Sequence, residues 1–260
     1  MSSPRSGNTV AMTSPDDIAG ALAVAMARTG EAHADCPLFS DPYAQVFIDA
    51  AEARGCQLPE GDAADRIRGI ANYTSSRTKY FDEFFIAAGA NGIDQVVIVA
   101  AGLDARAWRL PWISGTTIFE IDHPGVLRFK EEALRAHGDS PSVSRYVPVP
   151  ADLTGDWDRV LADAGFDASE PTAWAIEGLL PYVEEGPHLL FDRIHDLSAT
   201  ASRVAVEGTG PGIERWLTTR GWEPKITTAQ ELMTRHGRCG AHDDIDTVPD
   251  TVFVEAKRGL

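Results

Sequence analysis

The feature that most constrains the fold is a buried-strand pattern that is followed, after a fixed interval, by an acidic residue. Residues 96–99 read Val-Val-Ile-Val, a β-branched run that is typical of a strand covered on both faces in a parallel sheet. The run leads through two alanines to Gly102, where small side chains let a ligand approach the backbone closely. A second apolar strand is predicted at 117–121 and ends on Asp122, twenty residues after Gly102. That interval is typical of an acid that binds a ribose hydroxyl in doubly wound folds.

Two interpretations of these residues stay open. The first is a site for a ligand that contains adenosine, and the second is a turn that only packs, since buried strands with small-residue turns occur throughout α/β proteins. The turn continues as Leu-Asp-Ala-Arg after Gly102 and therefore lacks the third glycine of the dinucleotide fingerprint. This absence argues against an enzyme that binds a nicotinamide dinucleotide.

Composition restricts the partners. The 260 residues, of which 43% are hydrophobic and 24% charged, suit a soluble domain with a sizeable core. A formal net charge of −16 argues against a nucleic-acid substrate and against docking on anionic membranes. Three cysteines, Cys36, Cys56 and Cys239, lack the spacing of a metal pair or redox motif. They are expected to be reduced, mostly buried thiols in a cytoplasmic protein, and no metal site is predicted.

The chain divides into a helical part and an alternating part. Residues 1–13 are expected to be disordered, and 14–90 to form a helical cap whose first helix is capped by Ser14. Helices of the cap are predicted at 15–30, 41–54, where Asp41 caps, and 62–89, with a break near 72–76.

From residue 94 onward, strand and helix patterns alternate. Strands are predicted at 95–100, 116–121, 144–149, 172–177, 202–207 and 251–257, with a weaker one at 222–227. Helices are predicted between them at 104–110, 124–137, 156–165, 185–198, 211–220 and 228–237. The expected fold is α/β: a doubly wound, mostly parallel sheet at 94–260 under the cap, with 14–260 as one domain.

Ligands of such sheets bind beyond the carboxyl ends of the strands, so polar residues at those ends are candidates. Asp152 and Leu153 follow the third strand and offer a hydrogen-bond acceptor and an apolar cover for an adenine ring. The alternative is that Asp152 caps a helix that begins near Asp156. Glu177 ends the fourth strand and is suited to pair with an ammonium group.

Arg77 and Lys79 lie in the helix before the first strand and are candidates to neutralise a ligand carboxylate. The alternative is a solvated helix face on which these cations pair with Asp82 and Glu83. S-adenosyl-L-methionine presents a ribose diol, an adenine, an ammonium and a carboxylate. The candidates at 77, 122, 152–153 and 177 match these four groups one for one.

At these residues the chain resembles the leucine carboxyl methyltransferase family, in its actinobacterial branch of S-adenosyl-L-methionine-dependent methyltransferases. The matching segments share their order along the chain with the family: Asp41-Pro-Tyr43, Arg77-Thr-Lys-Tyr-Phe-Asp82, Ala101-Gly-Leu-Asp-Ala-Arg-Ala-Trp-Arg-Leu110, Phe119-Glu-Ile-Asp-His-Pro124, Asp152-Leu153, Glu177-Gly-Leu-Leu-Pro-Tyr182 and Leu217-Thr-Thr-Arg-Gly-Trp222.

The resemblance implies a seven-stranded class I methyltransferase sheet that ends in an antiparallel hairpin. It implies that Arg77 holds the methionine carboxylate and that the turn at Gly102 lies under the cofactor. By the same resemblance Asp122 binds ribose, Asp152 and Leu153 contact adenine, and Glu177 faces the methionine.

Two departures from the family are visible in the sequence. Its glycine turn usually begins with glycine, where this chain has Ala100, whose methyl group is either accommodated or weakens cofactor binding. The family also usually carries a longer lid insertion between the residues that correspond to Glu207 and Leu217. The short segment here predicts an open acceptor pocket and a bulkier or carrier-held acceptor.

The predicted function is O-methyl transfer from S-adenosyl-L-methionine to a small-molecule or carrier-held acceptor. A carboxylate acceptor is favoured because it is already anionic and needs no general base. His123 and Tyr182 are the weak catalytic candidates; His123 alternatively caps the next helix, and His188 is assigned to the surface. The alternatives are an NAD(P)-dependent oxidoreductase and a non-catalytic accessory protein that binds S-adenosyl-L-methionine.

Overall fold

A seven-stranded sheet is at the centre of the structure, a computed structural model that describes residues 15–183, 188–209, 212–238 and 248–259. Its order is β3-β2-β1-β4-β5-β7-β6. The strands are β1 (Gln95–Val99), β2 (Thr117–Asp122), β3 (Arg145–Pro150), β4 (Thr172–Ile176), β5 (Arg203–Gly208), β6 (Trp222–Thr228) and β7 (Val252–Arg258).

The first five strands run parallel, and β7 runs antiparallel to both β5 and β6. Strand β1 lies between β2 and β4, with Val97 level with Phe119 on one side and Trp174 on the other. The strand order therefore reverses at β1, and this is where such sheets bind ligands. The predicted doubly wound sheet with its terminal hairpin is confirmed.

Helices cover both faces of this sheet. They are α1 (Pro15–Thr29), α2 (Tyr43–Ala53), α3 (Asp62–Gly69), α4 (Ala71–Ala90), α5 (Arg106–Arg109), α6 (Pro124–His137), α7 (Trp157–Asp163), α8 (His188–Asp196), α9 (Gly212–Thr219) and α10 (Ala229–Arg235). Successive β1 side chains point to opposite faces. Val96 and Ile98 join a core with α1, α2, α4, α6 and α10, while Val97 and Val99 join one with α7, α8 and α9.

Helix α4 brings the N-terminal helices over the carboxyl-terminal edge of the sheet. Its Tyr80 and Tyr73 rings lie 4.9 and 6.1 Å from the Phe253 ring of β7, measured between centroids. Phe81 and Phe85 of the same helix are fully buried. Because most of this helix is buried, its polar side chains are held in place where they face the sheet edge.

Three differences from the predicted elements have local causes. The break in the long helical stretch falls at Ile70, because α3 is polar with no buried residue and ends on Gly69, a weak helix former. Helix α5 is shorter than predicted, since the Asp104 carboxylate already accepts a hydrogen bond from the Arg106 amide at 2.6 Å. Strand β6 is complete, although Pro224 and exposed residues weaken its sequence pattern.

Some expectations concern single residues. Cys36 is exposed and Cys56 half-buried, both as free thiols, so the prediction that the cysteines are mostly buried is wrong for these two. Asp41 accepts hydrogen bonds from the first amides of α2, as predicted. The disordered segment, the Ser14 cap and Cys239 lie outside the described residues. In the part of the chain that the structure describes, no helix has the length and apolar character to cross a membrane.

Candidate functional site

Gly102, which lies beyond the end of β1, is hydrogen-bonded to Asp122, the last residue of β2. Gly102 donates its backbone N–H to Asp122 Oδ2 at 2.6 Å, and His123 donates its own N–H to Oδ1 at 2.6 Å. Ala100 and Gly102 both have positive φ, 53° and 52°, a region that costs an alanine energy but not a glycine. Burial raises the pKa of Asp122, while the two backbone donors oppose that shift. The turn and the acid that were predicted from their spacing therefore lie side by side.

The end of β3 carries the exposed carboxylate of Asp152. Its Oδ1 accepts hydrogen bonds from the backbone N–H and the hydroxyl of Thr154, both at 2.8 Å, and these bonds lower its pKa. Asp156, and not Asp152, precedes the first residue of α7, so the helix-cap alternative for Asp152 is wrong. Leu153 is half-buried against the core.

Arg77 of α4 lies at the ends of β4 and β5. It is 9% exposed, its Nε lies 3.0 Å from Glu177 Oε1, and its Nη1 lies 3.3 Å from both carboxylate oxygens of Glu207. Burial opposes the charge of Arg77, but Glu207 and Glu177 raise its pKa above the usual value. The alternative in which Arg77 is on a solvated helix face is therefore wrong.

Arg106 is one of two residues of this site that were not predicted from the sequence. Its buried guanidinium lies 2.8 Å from Glu177 Oε2 and 2.7 Å from Asp82 Oδ1, and it also pairs with Asp104. Although burial acts against ionisation, Arg106 and Arg77 lower the pKa of Glu177. The signal was present in the sequence, because the family segment that begins at Ala101 includes this arginine.

Glu207, at the end of β5, is a second residue that was not assigned to the site. It accepts hydrogen bonds from the Tyr73 hydroxyl and, at 2.7 Å, from the Gly178 backbone N–H, in addition to its contact with Arg77. Burial, followed by the charge of Glu207, raises the pKa of Tyr73 above its ordinary value. Helix α4 is thus fixed to the ends of both β4 and β5.

A cavity of about 510 Å³ adjoins Glu207 and Gly178. Most of its wall is apolar, and the lining includes Leu180, Phe191, Ile213, Trp216, Glu207 and His188. Gly208 of β5 is also in the wall, and a Cβ there would lie 2.5 Å from Ile213 Cδ1 and 2.8 Å from Leu180 Cδ1. The cavity is therefore closely packed at its β5 end.

The remaining candidates are placed differently. His123 Nδ1 accepts a hydrogen bond from the Gly125 N–H at the start of α6, so its alternative role as a helix cap is confirmed. The Tyr182 side chain is exposed, with 79% of its surface accessible, and is not in the cavity wall as described. Lys79 pairs with Glu83 on the surface of α4. His188 is exposed, as expected, and also lines the cavity.

Among the described residues, no three histidine, cysteine, aspartate or glutamate side chains gather as a set of metal ligands. Glu177 and Glu207 at the sheet edge, and Asp82 of α4, are paired with arginines instead. This edge therefore combines small-residue turns, paired charges and an apolar cavity.

Comparison with known proteins assigns this arrangement to a family. The sequence profile of the family described as leucine carboxyl methyltransferase matches residues 21–195, which is more than half of the chain. The chain belongs to the leucine carboxyl methyltransferase family. The resemblance stated from the sequence motifs is confirmed.

Two similar proteins come from mycobacteria. A protein of Mycobacterium sp. strain JLS is 70% identical over 247 residues, which cover 95% of this chain and 99% of the relative. One from Mycolicibacterium paratuberculosis is 40% identical over 297 residues, with 92% of each chain covered. Both carry the provisional name S-adenosyl-L-methionine-dependent methyltransferase. The second alignment is longer than the 260 residues of this chain.

One solved structure is similar to this family member in its fold. A DUF574 family protein from Streptomyces avermitilis superimposes with a TM-score of 0.52 over 95% of this chain and 99% of that chain. Its sequence identity is 14%, so the likeness concerns the fold alone.

Proposed function

We propose that this methyltransferase transfers the methyl group of S-adenosyl-L-methionine to an oxygen atom of a small-molecule or carrier-held acceptor in the cavity beside β4 and β5. One observation supports the proposal. Polar residues at the ends of three strands, Asp152 at β3, Asp122 at β2 and Glu177 at β4, form a row that leads to the cavity wall at Gly178. A ligand that lies along this line has its far end at the cavity wall.

The residues present fit this cofactor. Asp122 can accept hydrogen bonds from a ribose diol, Asp152 with Leu153 can hold an adenine, and Glu177 can pair with an ammonium. Arg77 Nε is buried and, among the described residues, has no hydrogen-bond partner of proper geometry, although Glu177 is close to it. A ligand carboxylate would give this donor a partner.

The chain has two tasks during transfer. When bound, the cofactor would supply a methyl group on a positively charged sulfur. An acceptor oxygen could attack the methyl carbon in line, from the side opposite the sulfur, which is the leaving group. The protein must hold that oxygen in line and exclude water. Leu180, Ile213 and Trp216 supply apolar surface for this purpose, and Gly208 lets them close tightly at the end of β5.

Two oxygen groups are candidates for the acceptor. The sequence favours a carboxylate, which gives a methyl ester and needs no general base. The second candidate is a hydroxyl, and one observation favours it: the described wall contains Glu207 and His188 but no lysine or arginine. The shortened segment before Leu217 supports the proposal that a bulkier or carrier-held molecule can enter.

Equilibrium dialysis against S-adenosyl-L-methionine and against NAD(P)⁺ tests the cofactor and separates the oxidoreductase alternative. We expect binding of the first compound only. Arg77→Ala should weaken that binding more than Arg77→Lys. Both variants lose the planar guanidinium that can donate two parallel hydrogen bonds to a carboxylate, but only the alanine variant also loses the positive charge. Equal affinities of the two variants would contradict the role proposed for Arg77.

Radiolabelled methyl transfer to a panel of acceptors separates an enzyme from an accessory protein. The proposal predicts label in at least one O-methylated product. Cofactor affinity without transfer to any acceptor would instead favour the accessory protein. Ala100 in the turn and the short segment before Leu217 would then account for the loss of methyl transfer.

A further inference from the structure

The charges around the cavity restrict which acceptor can occupy it. Five carboxylates and four guanidiniums form one connected set of buried or half-buried ion pairs at this edge of the sheet. Its members are Asp41, Asp82, Asp104, Glu177, Glu207, Arg28, Arg77, Arg106 and Arg109. With every member ionised, the set carries one net negative charge.

This excess charge lies next to the proposed cofactor and acceptor positions. Arg77 is shared between Glu177 and Glu207, so one guanidinium faces two carboxylates at the ends of β4 and β5. S-adenosyl-L-methionine, with a sulfonium, an ammonium and a carboxylate, has a net charge of +1. Once it is bound, the charges of this ion-pair set balance, while Asp122 and Asp152 at the neighbouring strand ends add further negative charge to the edge.

A carboxylate acceptor would disturb that balance. It would add a negative charge within a few ångströms of Glu207, which is 8% exposed and borders the cavity. No lysine or arginine of the described wall is available to offset it. A buried charge without a partner is costly, whereas a neutral molecule leaves the set balanced.

The wall also contains a group that can take up a proton. Both oxygens of Glu207 already accept hydrogen bonds, from Tyr73 and from Gly178, in addition to the contact with Arg77. Of the described wall residues, His188 is therefore the remaining side chain with a ring nitrogen that can accept a proton. It is exposed at the start of α8, so a proton can pass on from it to water.

We propose that the acceptor is a neutral, largely apolar molecule with a hydroxyl group, and that His188 receives the hydroxyl proton. The inference rests on the proposed function. Of its two candidate acceptor groups, it selects the hydroxyl and not the carboxylate. The hydroxyl oxygen forms a bond to the methyl carbon as the carbon–sulfur bond breaks. The sulfur keeps the electron pair and becomes a neutral thioether, and the proton goes to a ring nitrogen of His188.

Matched pairs of probes test the charge argument on the full chain. The pairs are 2-naphthol with 2-naphthoate, 4-phenylphenol with 4-phenylbenzoate, and 1-decanol with decanoate. Dissociation constants are measured by calorimetry with bound sinefungin, a cofactor analogue whose amine keeps the positive charge. In each pair of which at least one member binds, we expect the hydroxyl compound to bind at least about tenfold more tightly than the carboxylate. Tighter binding of the carboxylates, or binding of no member of any pair, would overturn the proposal.

Glu207→Gln sharpens this test, because it removes the charge and keeps the shape of the side chain. The preference for hydroxyl over carboxylate should fall by about tenfold. Glu214→Gln is the matched control, since Glu214 is exposed on α9 beside the wall residue Ile213. It should leave the preference unchanged. The comparison of the probe pairs on the unaltered chain does not depend on either variant folding.

Transfer of labelled methyl from S-adenosyl-L-methionine tests His188. In His188→Ala, the hydroxyl probe should bind as before, and the transfer rate should fall about a hundredfold, with partial recovery in imidazole buffer. An unchanged rate would overturn the role of His188. Cofactor binding is also measured on the unaltered chain. Its absence there would refute the proposed function, whereas intact cofactor binding with a carboxylate preference would refute only this inference.

Discussion

The carboxyl-terminal edge of the sheet has two halves that are built in different ways. In the half formed by β1, β2 and β3, polar groups such as Asp122 and the Gly102 amide already bond to one another. In the half formed by β4, β5 and β7, apolar side chains surround a cavity with Glu207 as its buried charge. The difference indicates that the first half is suited to orient a polar ligand, and the second to enclose an apolar one.

Arg106 connects the two halves, and its replacement should have the largest effect. Arg106→Gln would leave Asp82, Asp104 and Glu177 buried without their shared counter-charge. We expect the free energy of unfolding to fall by about 3–5 kcal/mol, with loss of cofactor and acceptor binding together. Urea denaturation measures this change. Arg68→Gln, which breaks an exposed pair with Asp65, should cost less than about 1 kcal/mol.

Asp122→Ala should damage the first half alone. The variant loses the proposed bond to ribose and the bond to the Gly102 amide, so cofactor affinity should fall by about 1–3 kcal/mol. Calorimetric titration of the cofactor, with the exposed Asp163→Ala as control, measures the difference. Unchanged affinity would argue that Asp122 only supports the turn.

Gly208→Ala should damage the second half alone. The added methyl group would collide with Ile213 and Leu180, so the cavity must shrink or its wall must shift, at a cost of about 1–3 kcal/mol. Acceptor affinity should fall and cofactor affinity should stay the same. Gly212→Ala is the matched control, because a Cβ at this wall residue has no neighbour within 4 Å. Equal behaviour of the two variants in calorimetry would mean that packing at Gly208 does not shape the cavity.

Ala100→Gly should give the smallest effect, in the stabilising direction. Glycine relieves the left-handed conformation at φ 53°, and after the added flexibility of the unfolded chain the gain should be about 0.5–1 kcal/mol. Ala201, with φ 70°, provides a control far along the chain. Thermal unfolding should show a similar gain for Ala201→Gly. Cofactor affinity is measured for both variants. Tighter cofactor binding in Ala100→Gly, with no change in Ala201→Gly, would show that the Ala100 methyl group impedes binding.

The sequence predicted the first half of the site better than the second, for a physical reason. Asp122 is the last residue of β2 and Asp152 lies two residues beyond β3, so a strand pattern is enough to place them at one edge. The same kind of pattern placed Glu177, which follows β4, in the second half. Arg77 could be identified as a candidate but not as a buried residue, because its burial depends on how α4 packs over β4 and β5.

The cavity has no comparable local pattern. Its wall combines residues from segments far apart in the chain, such as Leu180, Ile213 and Thr251. The role of Gly208 depends on two side chains that approach it from different segments. Glu207 ends a predicted strand, but its bonds to Tyr73 and Arg77 span more than a hundred residues. Such contacts are set by the tertiary fold, and a single sequence does not contain them in readable form.

A crystal structure of the chain with S-adenosyl-L-homocysteine tests the central claim most directly. The account predicts ribose hydroxyls within hydrogen-bond distance of Asp122, the carboxylate at Arg77, and the sulfur facing the cavity beside Gly178. A ligand bound elsewhere, or a sulfur directed away from that cavity, would contradict it.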